Sequence, residues 1–117
     1  MRKEQINESK PKEFKRYVEL EEYNYRIIYF YKEPINPEKD CVDFEVECKG
    51  KLYKGTFITP KCIDERLKNY EKTGENGDGS YFWAKGMIII KEITNETIEK
   101  TLIDLIKRND LESALEV

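Results

Sequence analysis

Three carboxylates recur at every second position in one stretch of the chain. Asp43, Glu45 and Glu47 alternate with apolar side chains, and two residues of an extended strand rise by about 7 Å. Carboxylates at that spacing can hold a divalent cation or act as general acid and base. The alternation is more typical of the solvated face of a sheet, where like charges also attract basic proteins. We therefore assign these three acids to partner binding and predict no catalytic residue.

A second group of acids lies in a glycine-rich segment. Residues 74–80 contain Glu75 and Asp78 among three glycines. Such a segment can cradle phosphate, but a phosphate-binding loop follows a strand and opens a helix with Gly-Lys-Ser/Thr. Here the predicted helix comes first and the strand second, and two carboxylates would repel phosphate. We interpret the segment as a connector whose Glu75 and Asp78 contact a partner protein.

Three consecutive aromatic residues follow this segment. Tyr81, Phe82 and Trp83 could stack on bases or sugars, but a nucleic-acid platform needs neighbouring cations. Lys85 is the only cation close to them in sequence. Packing in the core or in a protein interface suits such aromatics better. We assign Tyr81 and Trp83 to partner binding.

The residue types present exclude several chemistries. The chain of 117 residues contains no histidine, which removes Ser-His-Asp and Cys-His catalysis and histidine-ligated metals. Cys41, Cys48 and Cys62 are too few for a four-ligand zinc site and match no disulfide framework. We interpret them as free buried thiols. The sequence thus predicts no enzyme, no metal site and no cofactor.

Composition and charge narrow the class of partner. Charged residues make up 38% of the chain with a net charge of -3, and the aromatic residues comprise one Trp, eight Tyr and five Phe. Disordered chains lack such aromatic content. A pI near 5.2 disfavours nucleic-acid binding, which needs a basic surface, and favours a basic protein partner.

The hydropathy pattern predicts no association with a membrane. The longest apolar run, Met87 to Ile90, is far shorter than the roughly 20 residues that span a bilayer. Residues 1–5 begin with basic side chains, but polar residues follow where a signal peptide needs an apolar region. We therefore expect a cytoplasmic protein.

The elements that must position these residues follow from periodicity. Density of β-branched and aromatic residues, or strict alternation, predicts strands over 23–31, 42–48, 52–58 and 81–92. Helices are predicted from Thr59-Pro60 to residue 73 and from Thr94 to residue 107, each capped by its threonine. Residues 11–20 fit a helix or a strand, and we favour the helix. Residues 1–10 are polar and are predicted to form a flexible tail.

Together these elements predict one α+β domain over residues 11–117. Its expected architecture has two layers, an antiparallel or mixed sheet of about four strands with two main helices on one face. The link from residue 58 through the first long helix to strand 81–92 predicts one parallel strand pair. The apolar end of strand 81–92 predicts an interior position in the sheet, and Gly55 predicts a close approach by an aromatic side chain or a helix.

The C-terminal part of the chain resembles a known family. The segment 79–98, GSYFWAKGMIIIKEITNETI, together with the helix to Lys107 and the sequence LESAL at 111–115, resembles the C-terminal half of small immunity proteins of bacterial polymorphic-toxin and contact-dependent growth inhibition systems. The shared features are an aromatic-rich strand, an apolar strand end and a threonine-capped helix. The resemblance implies a non-catalytic inhibitor that binds and neutralises a cognate toxin domain in the cytoplasm.

The residues allow a mechanism and leave alternatives open. Acidic side chains could occlude the active site of a toxin such as a nuclease by presenting carboxylates to its Lys and Arg residues. One alternative is a small interaction module without a toxin partner, or a homo-oligomer formed through an exposed sheet edge. Another is an enzyme that uses Glu or Tyr in a cleft, which would place two acids of raised pKa in one pocket.

Overall fold

The fold is α+β, with a mixed five-stranded sheet and helices packed on it. The computed structural model describes residues 12–33 and 36–117, with side chains for 15–30 and 36–117. The tail predicted over residues 1–10 lies outside the described residues. The expected α+β class and mixed sheet are confirmed, and the sheet has five strands where about four were predicted.

Strand order follows the chain. The strands are β1 (Lys12–Leu20), β2 (Tyr25–Glu33), β3 (Cys41–Cys48), β4 (Lys51–Ile58) and β5 (Met87–Ile89). They lie side by side in that order. The first four are antiparallel to their neighbours, and β5 is parallel to β4. The helices are α1 (Pro60–Thr73), α2 (Asn95–Lys107) and α3 (Leu111–Ala114).

The prediction of a helix over residues 11–20 was wrong, because this stretch forms β1. Its nine residues pair with β2 in an unbroken antiparallel register. Val18 is 8% exposed in the core, while Tyr17 on the opposite face is 63% exposed. This alternation matches the period of a strand, and the β-propensity of Tyr17 and Val18 favours it. A 3-10 turn (Glu21–Tyr23) and left-handed Asn24 connect β1 to β2.

The strands predicted over 42–48 and 52–58 are confirmed as β3 and β4, which form a hairpin. Cys48 lies opposite Lys51, so Lys49 and Gly50 form the two-residue loop, with φ of 53° and 75°. Positive φ at both positions is typical of the type I′ turn that matches the twist of paired strands. The register places Asp43 opposite Thr56 and Glu45 opposite Lys54, as the cross-strand pattern predicts.

Both long helices begin at the predicted threonines. The Thr59 hydroxyl accepts from the Cys62 amide and the Thr94 hydroxyl accepts from the Thr97 amide. Gly74 ends α1 with φ of 85° and donates its amide to the Tyr70 carbonyl. The predicted parallel pair is also confirmed, since α1 lies in the connection between β4 and β5.

The prediction for strand 81–92 was wrong in length and in position. Only Met87–Ile89 forms a strand, and β5 is at the edge of the sheet rather than inside it. Residues 81–84 have no regular secondary structure. Phe82 packs on α1 instead of pairing along the sheet, and Gly86 has a φ of 69° that is incompatible with an extended strand.

The core lies between one face of the sheet and helices α2 and α3. Buried residues of the sheet, of the segment after β5 and of these two helices form one cluster: Val18, Ile27, Tyr29, Val42, Phe44, Val46, Tyr53, Phe57, Ile90, Ile93, Ile98, Leu102, Leu111 and Leu115. Helix α1 contributes no member of this cluster, and Cys62 is its one buried residue.

Position 55 is where three parts of the chain meet, as its glycine predicts. A Cβ atom there would lie 2.6 Å from Leu115, 2.8 Å from the Phe44 ring and 2.9 Å from the Gly86 carbonyl oxygen. On one side of Gly55 the strand β4 pairs with β5. On the other side Lys54 exchanges two backbone hydrogen bonds with Glu116. The outer edge of β4 is therefore shared between β5 and the C-terminal segment.

Candidate protein-binding site

Phe82 anchors the segment that carries the predicted binding aromatics. Its ring stacks on Tyr70 of α1 at 6.4 Å between centroids, and the Arg66 guanidinium lies 5.2 Å from its centroid. The neighbours of Phe82 point away from this contact, so Tyr81 is 53% exposed and Trp83 is 64% exposed. Tyr and Trp are enriched at protein interfaces, because each combines an apolar ring with a polar group. The structure thus presents two aromatic side chains from an anchored backbone.

The turn before Phe82 has an unusual conformation. Asn76, Gly77 and Asp78 have φ of 49°, 60° and 59° within the helical turn Glu75–Gly79. Asn, Asp and Gly are the residues that tolerate this left-handed region. The Asn76 side-chain amide donates to the Tyr81 carbonyl at 3.2 Å, and a Cβ atom on Gly79 would lie 2.5 Å from the Leu67 carbonyl. These contacts hold the turn against α1.

Four of the predicted binding residues therefore lie on one loop. Glu75 and Asp78 are exposed in the left-handed turn, and Tyr81 and Trp83 are exposed after it. We call residues 75–86 the binding loop. It combines two carboxylates with two aromatic side chains, which are the groups that attract a basic surface and then anchor it.

Arg66 links the binding loop to the body of the protein. Arg66 is half-buried on α1. Its Nη2 donates to the Cys41 sulfur at 3.4 Å, and the neighbouring Cys62 and Cys41 sulfurs raise the pKa of its guanidinium. Burial raises the pKa of the Cys41 thiol, and Arg66 acts in the opposite direction. Arg66 thus lies beside the Cys41 and Cys62 thiols and the Phe82 ring.

The three acids of β3 lie on the face of the sheet opposite the core, which we call the open face. Each carboxylate there has a neighbour that offsets its charge or uses its lone pairs. Asp43 accepts from the Thr56 hydroxyl at 2.8 Å, and Glu47 forms an ion pair with Arg26 at 3.6 Å. Glu45 lies opposite Lys54 in the register. The open face is therefore of mixed charge rather than uniformly acidic.

A shallow groove connects the open face to the binding loop. It has a volume of about 220 Å³ and is lined by these residues: Asp43, Phe44, Glu45, Lys54, Gly55, Thr56, Lys85 and Glu116. Lys85 belongs to the binding loop, whereas Asp43 and Glu45 belong to β3. The structure thus brings two of the three β3 acids next to the end of the loop, while Glu47 lies further along the strand, outside this groove.

Sequence analysis missed a cluster around Glu112 of α3. The Tyr25 hydroxyl donates to Glu112 Oε2 at 3.0 Å, the Tyr53 hydroxyl donates to Oε1 at 2.8 Å, and the Cys48 thiol lies 3.9 Å from Oε2. The Tyr53 and Tyr25 hydrogen bonds lower the pKa of Glu112. Burial and the bond to Glu112 raise the pKa of Tyr25. The resemblance includes Glu112, but no local pattern pairs it with residues so far away in sequence.

This cluster joins α3 to β2 and β4, because Glu112 accepts hydrogen bonds from tyrosines of both strands. Among the described residues, no three Cys, Asp or Glu side chains are arranged to hold a metal ion. In the same part of the chain, no helix is long and apolar enough to cross a membrane.

Comparison of the chain with protein-family models, with curated proteins and with solved structures finds no match. The function must therefore be argued from the binding loop and the surfaces beside it.

We predict that Glu112→Gln weakens the fold at neutral pH and that the difference from the parent disappears in acid. Because the pKa of Glu112 is lowered in the folded state, its stabilisation is complete above the unfolded value of about 4.3 and is lost as the pH falls through the folded value. Urea unfolding between pH 7 and pH 3 measures this. Glu116→Gln is the control, and a pH-independent difference for Glu112→Gln would contradict the assignment.

We predict that Phe82→Ala frees the binding loop without unfolding the core. Trp83 is the only tryptophan of the chain, so its fluorescence anisotropy reports the loop directly. The variant should show a faster decay with larger amplitude, because Phe82 contacts Tyr70 and Arg66. Tyr81→Ala removes an exposed ring of the same loop and should leave the decay unchanged. Equal decays for Phe82→Ala and the parent would show that Phe82 is not the anchor.

Proposed function

We propose that this protein is a non-catalytic immunity protein that binds a cognate bacterial toxin domain and occludes its active site. The observation that carries the proposal is the pair of exposed aromatics, Tyr81 and Trp83, on either side of the anchored Phe82. The resemblance of segment 79–98 to small immunity proteins supplies the class of partner, and that segment contains both aromatics.

The binding energy is assigned to the two exposed aromatics. Tyr and Trp dominate the energetics of protein interfaces because each buries a large area with few rotatable bonds. The anchored backbone reduces the ordering cost on binding, since the contacts of Phe82, Asn76 and Gly79 already restrict the loop. Burying Tyr81 and Trp83 in pockets of the partner would supply the anchors of the interface.

The acids are assigned to steering and to specificity. Glu75 and Asp78 lie in the same loop as the aromatics and carry no ion pair among the described residues. Asp43 and Glu45 reach the edge of this surface through the groove at Lys85. A nuclease binds phosphates with Lys and Arg, so carboxylates at these positions would attract such a site and fill it. Glu47, paired with Arg26, contributes at the rim.

The proposed mechanism makes and breaks no covalent bond. One inhibitor binds one toxin domain in the cytoplasm of the producing cell, and access of the substrate is blocked by volume and charge. A calorimetric titration tests it directly. The titrant is the C-terminal domain encoded by the gene immediately upstream, catalytically inactivated. A one-to-one complex of nanomolar affinity is the expected result, and absence of both heat and co-elution would overturn the proposal for that pair.

We predict that Trp83→Ala and Tyr81→Ala each weaken this complex by about 30-fold or more, which corresponds to about 2 kcal/mol for an interface anchor. Both rings are exposed in the free protein, so the fold should be unaffected. Lys100→Ala on the exposed surface of α2 serves as the control. Affinities within twofold of the parent for both aromatic variants would remove the binding loop from the interface.

We predict that reversing Asp43, Glu45 and Glu47 together to lysine slows association with the toxin by about tenfold at low ionic strength. The effect should shrink at high salt, because screening removes long-range attraction. Stopped-flow measurement of Trp83 emission provides the rate. The same experiment on Glu75→Lys with Asp78→Asn, which suits the left-handed backbone at position 78, compares the loop acids with the β3 acids, and an unchanged rate for the triple variant would exclude the open face from steering.

A further inference from the structure

The outer edge of β1 is a second candidate interface. This strand is nine residues long and lies at the end of the sheet opposite β5. Within the described residues, no strand pairs with its outer side. Edge strands offer unpaired backbone donors and acceptors to any complementary strand. A long edge without proline is therefore a place where another chain can extend the sheet.

On the open face, the side chains of β1 include a lysine, a tyrosine and a glutamate at alternate positions. Lys15 and Glu19 are exposed there, and Tyr17 between them is 63% exposed. Lys15 lies over the Phe30 ring at 5.7 Å, and Glu19 contacts Arg26 at 3.5 Å. Both contacts are on the β2 side of the strand, and the exposure of the two side chains leaves their ends accessible to a second strand.

We propose that two copies of this chain pair through β1, antiparallel, with Tyr17 opposite Tyr17 of the second copy. In this register Lys15 lies opposite Glu19 of the second copy, and the two-fold axis repeats the pair on the other side of the tyrosines. Opposite charges directly across an antiparallel pair stabilise it, and aromatic pairs do so as well. The occupant of the edge is therefore a second copy of the same strand.

Neighbouring registers are less favourable. When a sheet continues across a two-fold axis, side chains on one face of a strand must pair with side chains on the same face of the second copy. The neighbouring registers therefore centre on Arg16 or on Val18 instead of Tyr17. One such change places Arg16 opposite itself, which is repulsive. The other replaces Glu19 with Glu21 as the partner of Lys15, and Glu21 lies beyond the strand, in the 3-10 turn. Only the register centred on Tyr17 keeps both Lys-Glu pairs within β1.

This arrangement leaves the binding loop free. The β1 edge and β5 are at opposite ends of the strand order, so pairing through β1 joins the two sheets while both binding loops stay at the outer ends. On the core side of β1, Val18 remains buried and Arg16 keeps its contact with Glu99 at 3.5 Å. The proposal does not depend on a toxin partner.

Charge reversal tests both the surface and its occupant. Sedimentation velocity of the full chain should show a species of twice the 14.0 kDa monomer mass. Lys15→Glu places like charges opposite each other, as does Glu19→Lys, so each variant alone should be monomeric. An equimolar mixture should recover the dimer, because one copy then carries two acids and the other two lysines. Circular dichroism and Trp83 emission confirm that each variant is folded.

The outcomes are decisive. A parent that remains a monomer up to its solubility limit overturns the proposal. A dimer that persists in both single variants overturns the assignment to β1, and failure of the mixture to recover the dimer overturns the register. If the β1 edge instead binds a different protein, the parent will be monomeric alone.

Disulfide trapping gives an independent test of the register. Tyr17→Cys should form an intermolecular disulfide on mild oxidation, because the two positions face each other within the reach of a disulfide. Glu22→Cys is the control. Glu22 is exposed in the 3-10 turn beyond β1 and takes no part in the Lys-Glu pairs, so its two copies would lie far apart in this register and no cross-link should form. Equal cross-linking of the two variants would contradict the pairing.

Discussion

The fold depends on the absence of a side chain at position 55. Gly55 is enclosed by Leu115, the Phe44 ring and the Gly86 carbonyl, so any Cβ atom would displace one of them. This contact lets β5 and the C-terminal segment share the outer edge of β4. Because β5 follows the binding loop and the C-terminal segment follows Glu112, the position of each depends on the same close approach.

Two parts of the structure adjoin this contact, the C-terminal helices and the binding loop. Toward the C-terminus, α2 and α3 cover the sheet, and Glu112 accepts from two tyrosine hydroxyls of β2 and β4. On the N-terminal side of β5, the binding loop packs against α1, where Phe82 contacts Arg66 and Tyr70. The loop is thus fixed at both ends although it contains little regular secondary structure. An interface built on it would need little ordering of the free protein.

The sequence was informative where local patterns determine structure. Alternation identified β3 and β4, and threonine caps located the starts of α1 and α2. Sequence patterns predicted the wrong structure where contacts between residues far apart in sequence determine it. Residues 11–20 have a helix-like spacing, but nine residues of β1 pair with β2 and form a strand instead. The aromatic-rich stretch 81–86 does not form a strand, because Phe82 packs on α1. Glu112 was missed because its partners lie far away in sequence, and the contact of Arg66 with Cys41 likewise depends on a residue distant in sequence.

The exposure of the binding loop has a consequence for how this protein can change through evolution. Glu75, Tyr81 and Trp83 are exposed, so substitutions there change the free energy of unfolding by only about 0.5 kcal/mol or less. The left-handed backbone at Asp78 favours Asp, Asn or Gly. Phe82, one residue from each exposed aromatic, carries the packing. Alternate positions of the same short segment thus separate the residues that hold the loop from those that face outward, so the exposed surface can diverge while stability is preserved.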